Sequence, residues 1–253
     1  MSFSKFQPRH VLCLLGREGQ FLELCRLIQS AIDTFAPGFE IDTEFSQDAA
    51  DDRMAHSFEV SWDRVHEGAR TNEDEEAVLE HGCVIYVLGP YMDPEEAPAA
   101  SAIALRLVTH ALANGVVAVK GESAGVAHGA ARWKQLGDDV EHAKEDVTLA
   151  RLCRLAFSKR PLSDGEFLHS VGFHLIGLPE VFVPRSLSDD DLQLTSVIDR
   201  VADEVFTEGV DMVLARYGAT LLPVDAYDED EFKYNPYGAI YLSSGIGLVS
   251  PVH

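Results

Sequence analysis

Short apolar runs constrain this chain more than any other feature. Residues 10–16 (HVLCLLG), Cys83–Leu88 (CVIYVL) and 116–119 (VVAV) are each too brief to make a stable helix. Bounded by turn residues, such runs read as buried strands. Around the first two, residues 18–35 place Phe21, Leu22, Leu24, Leu27, Ile28, Ala31 and Ile32 at helical spacing. Pro37 and Gly38 stop that helix. Residues 39–45 (FEIDTEF) alternate apolar and acidic, as a strand with one wet face does, and 57–63 (SFEVSWD) alternate again after a loop at 46–55. Thr71 or Asn72 can cap a helix whose first turn carries Glu73, Asp74, Glu75 and Glu76, where carboxylates favour the positive end of the helix dipole. The order β-α-β-β-α-β is the ferredoxin-like split unit.

The second half opens with a helix over 98–114 and the strand 116–119. A helical region broken at Gly137 continues over 138–157, and residues 167–178 and 181–183 read as strands. Ser188 can cap an amphipathic helix to Glu208, with Leu192, Leu194, Val197, Ile198, Val201, Val205 and Phe206 as its stripe. Strands at 219–224 and 239–242 follow. The same order can be laid over this half with extra helix inserted. The expectation is an α+β protein of two ferredoxin-like (βαββαβ) halves, 1–92 and 93–253, packed together or forming one compact domain. Both sheets are expected to be mostly antiparallel with helices on one face.

Cys13, Cys25, Cys83 and Cys153 form no CxxC pair, and three sit in apolar stretches, so buried free thiols in a reducing cytoplasm are expected. The apolar run at 11–15 is too short for a signal peptide and is followed by Arg17 and Glu18. The long apolar stretch 97–119 contains Arg106, His110, Asn114 and Gly115, which suits a core helix and strand, not a membrane span.

Charge narrows the partners. The chain has 42 Asp+Glu against 20 Lys+Arg, a net charge of −22. It should repel phosphate backbones and attract cations or basic proteins. Residues 186–232 hold 13 acids and two bases, half of the excess, and 71–105 hold eight acids and no base. The candidate interface is therefore Asp189, Asp190 and Asp191, with Tyr227, Asp228, Glu229, Asp230, Glu231, Phe232, Tyr234 and Tyr237 as an aromatic cluster inside an acidic loop. Any single acidic run reads first as a solvated helix start or loop, and the aromatic cluster reads equally as a C-terminal segment docked on its own core. DAYDEDEFKYNPYG lacks the order of a calcium loop. His169 and His174, five apart on strand-like sequence, fall on opposite faces, so no metal ligand is assigned, nor any cofactor.

One motif has a catalytic form. Gly121-Glu122-Ser123-Ala124-Gly125 matches G-x-S-x-G after a strand and before a possible helix, the context of a nucleophile elbow. Its partners are missing: His169 and His174 precede most later strands, His253 is the last residue, and no HGGG-like loop lies upstream. In the structural reading the glycines make a tight turn and Ser123 caps the helix.

Two segments resemble an uncharacterised bacterial α/β domain family. Residues 115–133 (GVVAVKGESAGVAHGAARW) are similar to the part where a buried strand ends in a small-residue turn before a helix. Residues 170–183 (SVGFHLIGLPEVFV) resemble a second landmark, a Gly–apolar strand closing on Gly-x-Pro-Glu, here Gly172, Gly177, Pro179 and Glu180. The likeness runs in order and spacing over 80–245, and Lys120 departs from the neutral strand end expected there. Glu180 reads from its neighbours as exposed or capping. The resemblance implies no enzymatic activity and supplies no catalytic residue. Proteins of this type can be encoded beside secreted toxins, which implies an immunity role of the type VI secretion kind. The leading expectation is an acidic binding protein that neutralises a basic toxin, such as a nuclease, by occlusion. The alternatives are a serine hydrolase using Ser123 and a structural module that dimerises through its sheet edges.

Overall fold

The structure, a computed structural model, describes residues 7–66, 68–224 and 235–244. All six residues of β1 (Val11–Gly16) are buried, so this strand must be covered on both faces. The chain continues through α1 (Phe21–Phe35), β2 (Glu40–Gln47), α2 (Arg53–Glu59), α3 (Asn72–Leu79), β3 (Cys83–Leu88), α4 (Ala97–Ala113), β4 (Ala118–Gly121) and β5 (Val126–His128). The five strands form an antiparallel sheet in the order β2-β3-β1-β4-β5. Side chains alternate across it. Leu12, Leu14, Ile85, Val87 and Val119 pack with α1 and α4, while Cys13, Leu15 and Val84 pack with Met54, Phe58 and Val78 of α2 and α3. Helices therefore cover both faces, not one as the sequence led us to expect.

α5 (Ala130–His142) and α6 (Asp146–Phe157) lead into β6 (Lys159–Ser163), β7 (Phe167–Val171), β8 (Glu180–Pro184), α7 (Asp191–Glu208), α8 (Val210–Tyr217), β9 (Thr220–Leu222) and β10 (Ala239–Tyr241). The second sheet has the order β6-β7-β8-β10-β9, with β8 and β10 parallel and the other pairs antiparallel. α7 lays Leu194, Val197, Ile198, Val201 and Val205 on Leu168, Val181, Val183 and Ile240. The protein is a mixed α/β structure with eight α-helices and two five-stranded, mostly antiparallel sheets among the described residues. No helix among them is long and apolar enough to cross a membrane.

Several expectations need correction. Residues 57–63 do not form a strand; Ser57–Glu59 belong to α2. Phe58 and Trp62 sit four apart as well as in alternation, and their rings meet edge to face at 5.5 Å. Gly137 does not break a helix. α5 runs through it, and a Cβ there would lie 2.3 Å from Thr109 Cγ2, so the missing side chain lets α5 press on α4. The first sheet does not end near residue 92, because β4 pairs with β1. The elements of the second sheet run β-β-β-α-α-β-β, not β-α-β-β-α-β. Cys13, Cys83 and Cys153 are buried free thiols and Cys25 is half-buried. Burial pushes the Cys153 thiol up to about 12, and burial with Glu122 nearby does the same for Cys13.

Candidate functional site

The serine motif sits in a hairpin. Residues 122–125 turn β4 into β5, another strand, so the strand-to-helix elbow that the sequence suggested is absent. Ser123 is 1% exposed. Its Oγ accepts from Val11 N at 2.9 Å and donates to Arg9 O at 2.8 Å, tying the turn to the entry of β1. It does not cap a helix either. The nearby imidazole of His10 is bonded to Ser101 instead. Ser123→Ala should cost about 1–2 kcal/mol in a urea melt, because the Val11 N–H loses its acceptor. Fluorophosphonate labelling should be the same for both proteins; a label lost only in the variant would restore the nucleophile reading.

Lys120 has a structural explanation. It is buried at the end of β4, and its Nζ lies 2.8 Å from Glu122 Oε1 and donates to Ser57 Oγ on α2. A buried ammonium needs such partners. The neutral residue expected there would leave Glu122 without its counter-charge. A second buried pair sits on β5, where His128 Nδ1 lies 3.4 Å from Asp63 Oδ2. Burial pushes the Asp63 carboxyl up, but His128 and the backbone N–H groups of Val65 and His66 together outweigh it and hold the group below its usual range.

The landmark glycines and Glu180 converge on one buried polar centre. The expected strand over 167–178 stops at Val171, and Phe173–Ile176 form a 3-10 turn. Gly172 (φ 103°) and Gly177 (φ 76°) bracket that turn in the left-handed region that favours glycine. Glu180 Oε1 accepts from Gly172 N, Phe173 N and Asn235 Nδ2, each at 2.9 Å, and Oε2 accepts from Ser170 Oγ at 2.6 Å. The glutamate thus caps the turn, but it is buried, not exposed. Burial alone would raise its pKa; His174 and the bonds from Ser170 and Asn235 outweigh that and hold it below the usual carboxylate range.

From there the polar contacts run toward the first sheet. His174 is fully buried, with Nδ1 3.8 Å from Glu180 Oε1. On the other side His10 Nε2 lies 2.7 Å from Ser101 Oγ, which donates to Leu175 O at 2.5 Å. With the Ser101 proton so placed, His10 must be the Nε2–H donor of that pair. Burial, with His174 adding to it, pushes the His10 pKa down to about 3. This cluster joins the two sheets.

Of the expected acidic interface, Asp189, Asp190, Asp191 and Tyr237 lie among the described residues. Asp190 caps α7, accepting from Leu192 N at 2.9 Å, and Asp191 lies 2.8 Å from Arg185 Nη2. Asp189 is exposed. Asp199 and Asp203 hold the buried Arg154 of α6 at 3.2 and 3.0 Å, and Asp203 also binds Arg151. Glu204 and Glu208 grip Arg216 of α8. Burial, then Asp93, pushes the half-buried Tyr237 phenol up to about 12. Tyr227, Asp228, Glu229, Asp230, Glu231, Phe232 and Tyr234 lie outside the described residues.

Among the described residues, exposed carboxylates also gather at the end of the first sheet where β1 stops and β3 starts. The loops before β3 and after β1 are joined there by Gly82 N donating to Gly16 O at 2.8 Å. The loop after β2 joins them through Asp51 N, which donates to His81 Nε2 at 2.9 Å. Glu18, Asp48, Asp52, Glu76 and Glu80 are all exposed around this junction. Sequence reading noted the acids of α3 but not this convergence, because the residues come from the loop after β1, the loop after β2 and the C-terminal part of α3. One acid of α3 is structural: Asp74 closes a capping box with Thr71 and accepts from Ala130 N at 2.9 Å, at the start of α5. Among the described residues, no group of three or more His, Cys, Asp and Glu side chains is arranged to hold a metal ion. No family model, no curated protein and no solved structure matches this chain.

Proposed function

We propose that this chain is an acidic binding protein that neutralises a basic protein by covering it, as an immunity protein covers a cationic toxin of the nuclease class delivered by a type VI secretion system. The observation that carries this reading is how its carboxylates divide. Those of α7 are spent on Arg151, Arg154 and Arg216, whereas Glu18, Asp48, Asp52 and Glu76 stand exposed toward one end of the first sheet, beside Glu80, which lies 3.6 Å from Arg17. A cluster of exposed carboxylates steers cationic partners and can raise association rates to roughly 10⁸–10⁹ M⁻¹s⁻¹ at low salt. A nuclease must be cationic where it meets phosphate, so its active face is complementary to such a surface. The placement of Gly172, Gly177 and Glu180 supports reading the Gly-x-Pro-Glu landmark as a structural signature. We also infer that β1, α1, β2, β3, α4 and β4 form a ferredoxin-like split unit, since their strand order β2-β3-β1-β4 is that of the motif.

The test is co-expression with the product of each reading frame that flanks this gene, one of which is expected to encode a basic toxic domain. Host survival and a complex that persists on gel filtration at low salt and weakens at high salt are expected. Survival no better than with an empty vector would end the reading.

A further inference from the structure

We infer that the groove between α2 and α3 is the seat of a basic amphipathic helix from the partner. This inference rests on the reading of the protein as a binder of basic proteins and gives that reading a place.

The groove has a volume of about 550 Å³. Phe58, Trp62 and Val78 form its floor, and Leu79 stands on its rim 68% exposed. Glu59 of α2 and Glu75 of α3 line its two banks. An apolar floor between two helices is the geometry that accepts the apolar face of a third. α2 and α3 have seven and eight residues, so at about 1.5 Å per residue the groove spans roughly two turns of a bound helix. That length accommodates two apolar anchors spaced i, i+3 or i, i+4.

The charge of the occupant follows from the groove's own arginine. The Arg70 guanidinium lies 5.7 Å from the Trp62 ring centroid, and its Nε donates to Glu75 Oε1 at 2.5 Å. The groove therefore already holds one guanidinium between an indole face and a carboxylate, the pairing that favours arginine. The carboxylates that line the groove are Glu59, 3.7 Å from His56 Nδ1, and Glu75; Asp74 is held by Thr71 and Ala130 N, and Glu80 lies 3.6 Å from Arg17. An anionic or neutral helix would gain nothing from these banks. A helix with lysine or arginine on either side of its apolar stripe would meet Glu59 on one bank and Glu75 on the other, and its arginine would compete with Arg70 for the place over Trp62.

The experiment titrates the intact protein, by calorimetry at physiological salt, with a synthetic cationic peptide. The peptide is about 16 residues long, with leucine at i, i+3, i+4 and i+7 and lysine or arginine elsewhere. Leu79→Glu separates docking from bulk attraction, because it adds a negative charge while spoiling the rim. Docking in the groove requires at least a tenfold loss of affinity in L79E, and a similar loss for a scrambled peptide of the same composition. Arg70→Ala should bind a few-fold tighter, since the place over Trp62 is vacated. Undetectable binding to the intact protein, L79E binding as well as the parent, or scrambled and amphipathic peptides binding alike would each overturn the inference. If co-expression protects the host while L79E is silent, the groove is refuted and the binding role stands. If L79E abolishes peptide binding while co-expression gives no protection, the role is refuted and the groove stands.

Discussion

Glu180→Ala should lower the stability of this protein by about 3–5 kcal/mol, the cost of removing one partner from a buried charged network. The carboxylate is the shared acceptor of two backbone N–H groups, one hydroxyl and one amide. Alanine leaves all four donors buried without it. For a chain of this size the loss corresponds to a fall in melting temperature of roughly 6–10 °C. Glu180→Gln keeps one acceptor oxygen at the site and should cost visibly less. Thermal or urea unfolding of both variants checks the pair; a Glu180→Ala protein within 1 kcal/mol of the parent would show that the network contributes little.

Acid should act on the same region through His10. Its pKa is about 3 in the folded protein against about 6.5 in an unfolded chain. A depressed value means that the unfolded state takes up the proton first. Stability is therefore complete above pH 6.5 and declines as pH falls from 6.5 toward 3. At about 1.4 kcal/mol per pH unit, the integrated loss from this one group approaches roughly 4–5 kcal/mol. Glu180 and Asp63, both held below their usual range, add a loss of the same sign at the lower end of the window. Urea midpoints measured from pH 7 to pH 4 should fall steeply, and His10→Gln should flatten the slope by up to one proton between pH 6 and pH 4. An unchanged slope in that variant would remove His10 as the source.

The local elements were legible where periodicity was unambiguous. Leu24, Ile28 and Ile32 announced α1, Thr71 announced the start of α3, and the apolar run of β3 was bounded by Gly82 and Gly89. Residues 57–63 misled because Phe58 and Trp62 satisfy both a period of two and a spacing of four, and packing against Leu15 and Val84 decided for the helix. Strand pairing was less legible still. The split-unit order was expected from the segment at 57–63 and β3, whereas β3 and β4 are the strands that follow β2 in the first sheet. Of the candidate site, the excess of acids could be read, but their commitments could not. Nothing in the local sequence says that Asp203 will find Arg151 and Arg154, about fifty positions earlier. Glu180 looked like a surface acid because its donors are gathered by the 3-10 turn after Gly172, which the sequence read as strand, and by Asn235, far along the chain.

The parallel pairing of β10 with β8 also orders events at the ribosome. Residues 180–182 emerge long before 239–241, which must dock beside them. Until then the nascent second sheet exposes the edge of β8, and Glu180 waits for Asn235. Domains whose contacts are distant in sequence close late and remain prone to mispairing meanwhile. Translation that halts before Asn235 would leave an adhesive, half-built sheet fused to a first sheet whose strands have all been made, a natural target for chaperones.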